Sequence, residues 1–316
     1  MPWALAGWSR TAQALTPAHV AALWPFPETS AEGHALSVAF QTALHEHGQT
    51  GLRVDDGWGA ADRERTGAVA AGLVGSAPRV IFAYLNAQLA AVSRLTRTVP
   101  IVFVGASDPV GSGYVASLQR PGGNITGFTL YEPSLGGKWL AALKEAAPTI
   151  RHVTLLSNRS TEVKRGNFYS EPFESAAVAL GIEPTIVMVE TTGDIDPVIA
   201  KLGRQGHAGL IVAPGTFSEA NGDRIVALTA EHRVATVFAI RRFAHRGGLM
   251  SYGPDPVEAV HRAAAYVNRI LHGENPATLP IQAPTKFDFI VNLKTARAFG
   301  LEVSSALLAQ ADEIVE

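Results

Sequence analysis

From His19 onward, short apolar runs alternate with longer stretches of helical periodicity: HVAALWP, SAEGHALSVAFQTALHEHG, GLRVDDGW, ADRERTGAVAAGLVGSA, RVIFAYL, AQLAAVSRLTR and PIVFVGA. Strand and helix therefore follow one another in turn. The runs at 79–85 and 100–106 are continuously apolar rather than alternating, as expected of parallel strands covered by helices on both faces. This pattern predicts an α/β fold built on a doubly wound parallel sheet. Right-handed crossovers then gather the loops that follow the strands along one edge, where open α/β sheets bind ligands.

A Pro/Gly-rich break, RPGGNITG at 120–127, precedes a second series of the same kind. Its helical stretches are GGKWLAALKEAA, SEPFESAAVALG, DIDPVIAKLGRQ and SEANGDRIVALTAEHR, separated by the apolar runs HVTLLSN, PTIVMVE, GLIVAPG and ATVFAI. Beyond RGGLMSYG at 246–253 come a helical pattern over 255–273, an extended piece, LPIQAPTKFDFIVN, a further helical pattern, LKTARAFG, and a tail that reads as ordered packing. The second half repeats the first in architecture, without a residue-level repeat.

Composition narrows the functional classes. The chain has 316 residues, 47% apolar and 17% charged, which suits two α/β lobes of about 150 residues. A formal net charge of −2, with no Lys/Arg cluster, provides no field for nucleic acid or an anionic membrane. The absence of cysteine removes disulfides, thiolate nucleophiles and thiolate metal sites together. No run approaches the roughly 18 apolar residues that a spanning helix needs. Near the start, Ala12-Gln13-Ala14 has the A-x-A shape of a signal-peptidase site but no basic n-region before it, so residues 1–16 read as a signal-peptide remnant or a flexible extension.

Catalytic motifs are poorly matched. Gly57-Trp58-Gly59 resembles the start of a dinucleotide loop, but Asp62 stands where the third glycine belongs and would oppose a pyrophosphate. Gly137-Lys138 lacks the earlier glycine and the following hydroxyl of a phosphate loop and reads as a helix start. His45 and His47 point apart on a helix, so no metal site emerges, and Ser112 lacks the surroundings of a nucleophile elbow.

Polar and aromatic side chains after the strands remain. Following the first strand, Phe26, Thr29 and Ser30 open a helix; Thr29 with Glu32 makes a capping box and Ser30 could itself cap the helix while facing the cleft, a capping role favoured over the alternative that the free amides receive a carboxylate. Tyr84, Asn86 and Ala87 follow the third strand. Ser107 and Asp108 follow the fourth, where Asp108 before Pro109 reads either as an N-cap or as the partner of a ligand ammonium. In the second series Asn158, Thr216 and Phe217 hold the equivalent places, and Ser251 and Tyr252 lie where a glycine-flanked strand leaves the lobe.

The blocks IVFVGASDPV (101–110), GYVASLQRPGGNITG (113–127), GGLMSYG (247–253), YVNRILHG (266–273), LPIQAPTKF (279–287), NLKTA (292–296) and ADEIVE (311–316) together resemble the TrpX-like ABC transporter substrate-binding proteins, in that family's order and spacing. The resemblance spans about residues 20–316 and implies a type I periplasmic binding fold, two lobes joined by three crossings. It implies an N-terminal lobe of 17–129 plus 252–284 and a C-terminal lobe of 130–251 plus 285–316, with the candidates above lining the cleft between them. It further implies an amino-acid-like, in some members aromatic, solute delivered to a separate permease and its ATPase by a periplasmic or lipid-anchored monomer, without cofactor, metal or catalysis. A ligand-sensing domain working with a separate regulator is the rival reading, and an enzyme on the same sheet a weaker one.

Overall fold

The computed structural model describes residues 19–158 and 168–316. The Ala12-Gln13-Ala14 shape lies outside them. The first lobe is built from β1 (His19–Trp24), α1 (Ala31–Glu46), β2 (Arg53–Trp58), α2 (Arg63–Gly75), β3 (Val80–Tyr84), α3 (Asn86–Leu95), β4 (Ile101–Val104) and β5 (Ile125–Phe128). Its five strands are all parallel, in the order β2-β1-β3-β4-β5. The apolar runs alternate between two cores. Val20, Ala22, Trp24, Phe82 and Val102 face one way, toward α1; Ala21, Leu23, Ile81, Ala83 and Phe103 face the other, toward Ala70 of α2 and Leu89 and Val92 of α3. Burying each such Leu, Ile, Val or Phe side chain contributes about 1.5–3 kcal/mol, which is why a continuously apolar run settles in a sheet centre. The edge strand β2 carries Arg53, Asp55 and Asp56 because its outer side is half open. Even there, Asp56 is used, accepting from Trp24 Nε1 at 2.7 Å and from the Ser37 hydroxyl at 2.6 Å.

The second lobe holds α4 (Leu135–Ala146), β6 (His152–Asn158), α5 (Ser170–Leu180), β7 (Glu183–Val189), α6 (Ile195–Gln205), β8 (Ala208–Val212), α7 (Thr216–Glu231), β9 (Ala235–Phe238), α8 (Arg241–His245) and β10 (Met250–Pro254). The chain then forms α9 (Pro256–Leu271), which packs on α1 and against β3, β4 and β5 of the first lobe. It returns to the second sheet for β11 (Phe287–Asn292), α10 (Leu293–Phe299), α11 (Ser305–Gln310) and β12 (Glu313–Val315). The second sheet has the order β12-β11-β10-β9-β8-β6-β7, with only the β10–β11 pair antiparallel.

Three stretches thus cross between the sheets: after β5, after β10 and before β11. The first and third run together, for Phe128 bridges Gln282, Thr129 N donates to Gln282 O at 2.9 Å and Gln282 N donates to Gly127 O at 3.1 Å. Gly127 and Gly253 are required at the crossings by close approach. A Cβ on Gly127 would lie 2.1 Å from Phe103 O, and one on Gly253 1.9 Å from Ala239 O.

Three expectations are corrected. The break at 120–127 contains the start of β5, whose four residues are too few to show a period. No helix follows Asp108: residues 109–114 form turns, and Asp108 Oδ1 accepts from Gly111 N at 2.7 Å instead of capping a helix. The Thr29 capping box does not form: Thr29 is exposed in the preceding turn, and the cap of α1 is the alternative, Ser30, accepting from Gly33 N at 3.1 Å. Asp62, which spoiled the dinucleotide motif, is the N-cap of α2, accepting from Arg65 N at 2.6 Å.

Candidate functional site

Parallel connectivity brings the loops after β1, β3 and β4 to the carboxyl edge of the first sheet, and those after β6, β8 and β9 to that of the second. The two edges meet. Leu85, Asn86, Gly105 and Ser107 of the first lobe, Tyr131 of the first crossing, and Pro214, Gly215 and Thr216 of the second lobe enclose a cavity of about 10 Å³. That is roughly the space of a single water probe. Four of the sequence candidates are at or beside it. Asn86 Nδ2 donates to the Ser107 hydroxyl at 3.3 Å and Ser107 N donates to Asn86 Oδ1 at 3.2 Å, a clasp between the β3 and β4 loops. Thr216, which opens α7, lines that cavity, and Ala87 joins Thr216 along a second, larger hollow of about 460 Å³ between α2 and α3.

Around these lie the aromatic candidates. Tyr84 is buried, 5.8 Å from the Trp24 ring and 6.1 Å from that of Phe26, and its hydroxyl is pushed far above the ordinary tyrosine value by burial and by the charges of Glu219 and Glu32. Phe217 is half-buried against the α6–α7 core. Asn158 is buried and donates to Val189 O at 2.6 Å. Asp108 is half-buried in its turn. Ser251 and Tyr252 lie farther off, on β10: Ser251 is fully buried, and Tyr252 stacks on Phe287 at 5.7 Å with its carbonyl held by Trp139 Nε1. Neither lines the cavity between the lobes.

The strongest electrostatic feature was absent from the sequence reading. Arg242, at the start of α8, donates Nη1 to Glu32 in the first turn of α1 and Nη2 to Glu219 in the first turn of α7. Glu32 belongs to the first lobe and the other two to the second, so one guanidinium ties the lobes together. Burial pulls Arg242 down, but the two carboxylates outweigh it and hold the guanidinium charged. Burial dominates at Glu219, whose carboxyl is pushed up to about 7 against the lowering pull of Arg242. Glu32 is raised for the same reason. Glu219 therefore holds a proton up to about neutral pH, so the charge of the cluster changes with pH.

Two further residues went unnoticed. Tyr169, just before α5, is buried, and its hydroxyl lies close to Ser107 of the other lobe but outside hydrogen-bond geometry; burial raises it well beyond its ordinary value. Gln88 is fully buried in the first turn of α3 with neither amide atom hydrogen-bonded among the described residues. Unmet polar atoms cost about 1–3 kcal/mol, so Gln88→Met is expected to raise stability by roughly that amount. Urea unfolding at unchanged slope checks it, and a lower midpoint would mean the amide has a partner.

The backbone is strained beside the same cavity. Leu85, preceding α3, has φ 74° and ψ 169°, a combination that side chains rarely adopt and that costs on the order of 1–3 kcal/mol. The matching residue before α7 is Gly215, with φ 151° and ψ 173°. Leu85 ends an apolar run, and nothing in that run signals its positive φ.

The sequence profile of the ABC transporter substrate binding protein family matches residues 34–315. A tyrosine-binding protein of Clostridioides difficile is 23% identical over 251 residues, 78% of this chain and 70% of that one. A Streptococcus ABC domain solved with L-Trp superposes with a TM-score of 0.85 at 18% identity, over 95% of this chain and 100% of that one. A ligand-free, open substrate-binding protein with adhesive properties from Clostridium difficile gives 0.69 at 20% identity, over 94% and 99%. The fold is that of the type I periplasmic binding proteins.

Proposed function

Because the chain belongs to the ABC transporter substrate-binding protein family, we propose that it captures an amino-acid-like solute between its lobes and delivers it, closed, to a membrane permease driven by a separate ATPase. The observation that carries this reading is the convergence of both carboxyl edges on one cavity, with Arg242 joining a carboxylate from each lobe. A zwitterion suits this setting. Its carboxylate meets the first-turn amides of α3 and α7 at Asn86 and Thr216, where helix ends favour anions. Its ammonium is assigned to Asp108, and Phe26, Tyr84 and Phe217 supply apolar wall. The tyrosine- and tryptophan-linked relatives support the amino-acid class.

Closure is the working step. The ligand touches both lobes only when they meet, so it favours the closed form by the difference in contacts, and the permease reads that form. No step needs bond chemistry. The proposal places the protein outside the cytoplasm, as a monomer. Among the described residues no helix is long and apolar enough to cross a membrane.

Thermal unfolding of protein stripped by denaturation and refolding, against a panel of amino acids, tests the binding. A true ligand at 100 times its Kd adds about 2.7 kcal/mol and raises Tm by a few degrees. A panel without a single shift counts against an amino-acid solute.

A further inference from the structure

We propose that the hollow between α2 and α3 is a second binding site, taking an organic carboxylate with an apolar body, its carboxylate held by Arg63, Arg94 and Gln88. The site stands beside the solute-binding reading and does not rest on it, for it is built almost wholly from the first lobe. At about 460 Å³ the hollow falls in the range of small-molecule pockets, whereas the cavity between the lobes has room for about one water.

The first observation is Gln88. On α3 the residues 88, 91 and 95 share the face that lines the hollow, while Leu89 and Val92 turn to the sheet. Gln88 is fully buried, and neither amide atom is hydrogen-bonded among the described residues. An apolar side chain of the same shape would hold this place at lower cost, so packing does not explain a glutamine here. The amide atoms are themselves covered from solvent. An occupant is therefore met by a turn of this flexible side chain toward the hollow.

The second observation is charge. Arg63 and Arg94 both line the hollow, and neither has a hydrogen-bond or ion-pair partner among the described residues. Arg63 is the first residue of α2, where the helix dipole opposes a cation, so the helix gains nothing from it. Asp62 also lines the hollow, but its Oδ1 is engaged as the cap of α2 by Arg65 N at 2.6 Å. Two guanidinium groups thus face one carboxylate, and the planar fork of each matches a carboxylate in geometry as well as in charge.

The rest of the wall describes the body of the ligand. Ala90, Ala91 and Leu95 are apolar, and Leu95 is left 46% exposed, surface that a hydrocarbon would cover. Thr216 of the second lobe lines both this hollow and the cavity between the lobes, so it does not separate the two sites and is left unchanged in the test.

The test is isothermal titration calorimetry at pH 8 on refolded wild type, Arg63→Gln, Arg94→Gln and Gln88→Met. The probe is 3-phenylpropionate, with its neutral amide and acetate as controls. Wild type is expected to bind 3-phenylpropionate at least about tenfold more tightly than either control, and each variant to lose about tenfold or more. Both arginines are exposed, so their replacement leaves the fold intact, and Gln88→Met is expected to be more stable than wild type, so a loss there does not come from unfolding. Wild-type affinity in both arginine variants would put the probe elsewhere and overturn the site. The amide binding as tightly as the acid would overturn carboxylate recognition, and unchanged affinity in Gln88→Met would remove glutamine from the site. A wild type that responds to the amino-acid panel but shows no saturable binding of 3-phenylpropionate at millimolar concentration loses this site and keeps the solute reading.

Discussion

Replacing Arg242 by methionine is expected to cost about 3–5 kcal/mol of stability at pH 8 and much less at pH 5. The guanidinium is the one cation shared by Glu32 and Glu219, and its loss leaves two acids facing each other in a largely buried place. At pH 5 they escape by taking up protons. At pH 8 they must either ionise unpaired or hold protons that the unfolded chain has released. The wild type already shows the sign of this effect. The Glu219 carboxyl is raised from its ordinary 4.5 to about 7 by burial, so in the folded state it keeps a proton the unfolded chain loses. Its contribution is fully present below about pH 4.5, declines as the pH rises through 7, and is flat beyond. Without Arg242 the lowering pull on both acids disappears, their folded values climb, and the decline extends to higher pH. Urea unfolding of wild type and variant at pH 5, 6.5 and 8 reads this directly. A loss of equal size at all three would mean that Arg242 acts through packing alone.

How far the sequence carries the reader differs from element to element. β3 and β4 were plain because each lies in a sheet centre, where both faces are buried and the run is unbroken by polar residues. The edge strand β7 was recognisable too, since PTIVMV is an apolar run although most of it is only half-buried. β5 was not: it has four residues, one of them Gly127, and its strand character comes from pairing with β4. α8, with five residues and a single turn or so, carries no periodicity, and it was passed over together with Arg242.

The site follows the same division. Asn86, Ser107 and Thr216 could be named because connectivity alone puts the residue after a parallel strand at the carboxyl edge. Glu32 and Glu219 could not be recognised as partners, because each reads locally as an acid in the first turn of a helix, which the helix dipole by itself explains. Their pairing through Arg242 joins residues about 210 positions apart and exists only when the lobes are together. Leu85 was likewise silent, since an apolar residue ending an apolar strand is unremarkable until its φ is known. Ser251 and Tyr252 were placed where a glycine-flanked strand leaves the lobe, and the chain does cross to the first lobe after β10; within the strand Ser251 is buried and Tyr252 half-buried against Phe287.

That dependence on the lobes being together makes Glu32 the residue with which to test closure. Glu32→Gln keeps the shape of the side chain and its place at the start of α1 while removing the charge that Arg242 holds across the cleft. The pair of Arg242 with Glu219 survives within the second lobe, and losing the repulsion of Glu32 lets the Glu219 carboxyl fall from about 7 toward its ordinary range. Folding stability should therefore change little, in contrast to Arg242→Met. What should change is the balance between open and closed forms. A charge-assisted hydrogen bond contributes about 1.5–3 kcal/mol, so its weakening shifts that balance toward the open form by roughly tenfold or more. Small-angle scattering of the unliganded variant should give a larger radius of gyration than wild type, and any ligand found in the thermal panel should bind more weakly, since part of its binding energy is then spent on bringing the lobes together. The change should fade at low pH, where wild-type Glu32, its carboxyl raised by burial, takes up a proton as well. Identical scattering and identical affinity at pH 8 would show that the bridge from Arg242 to Glu32 does not hold the lobes, and that closure in this protein rests on the contacts of Thr216, Tyr131 and Tyr169 with the first lobe.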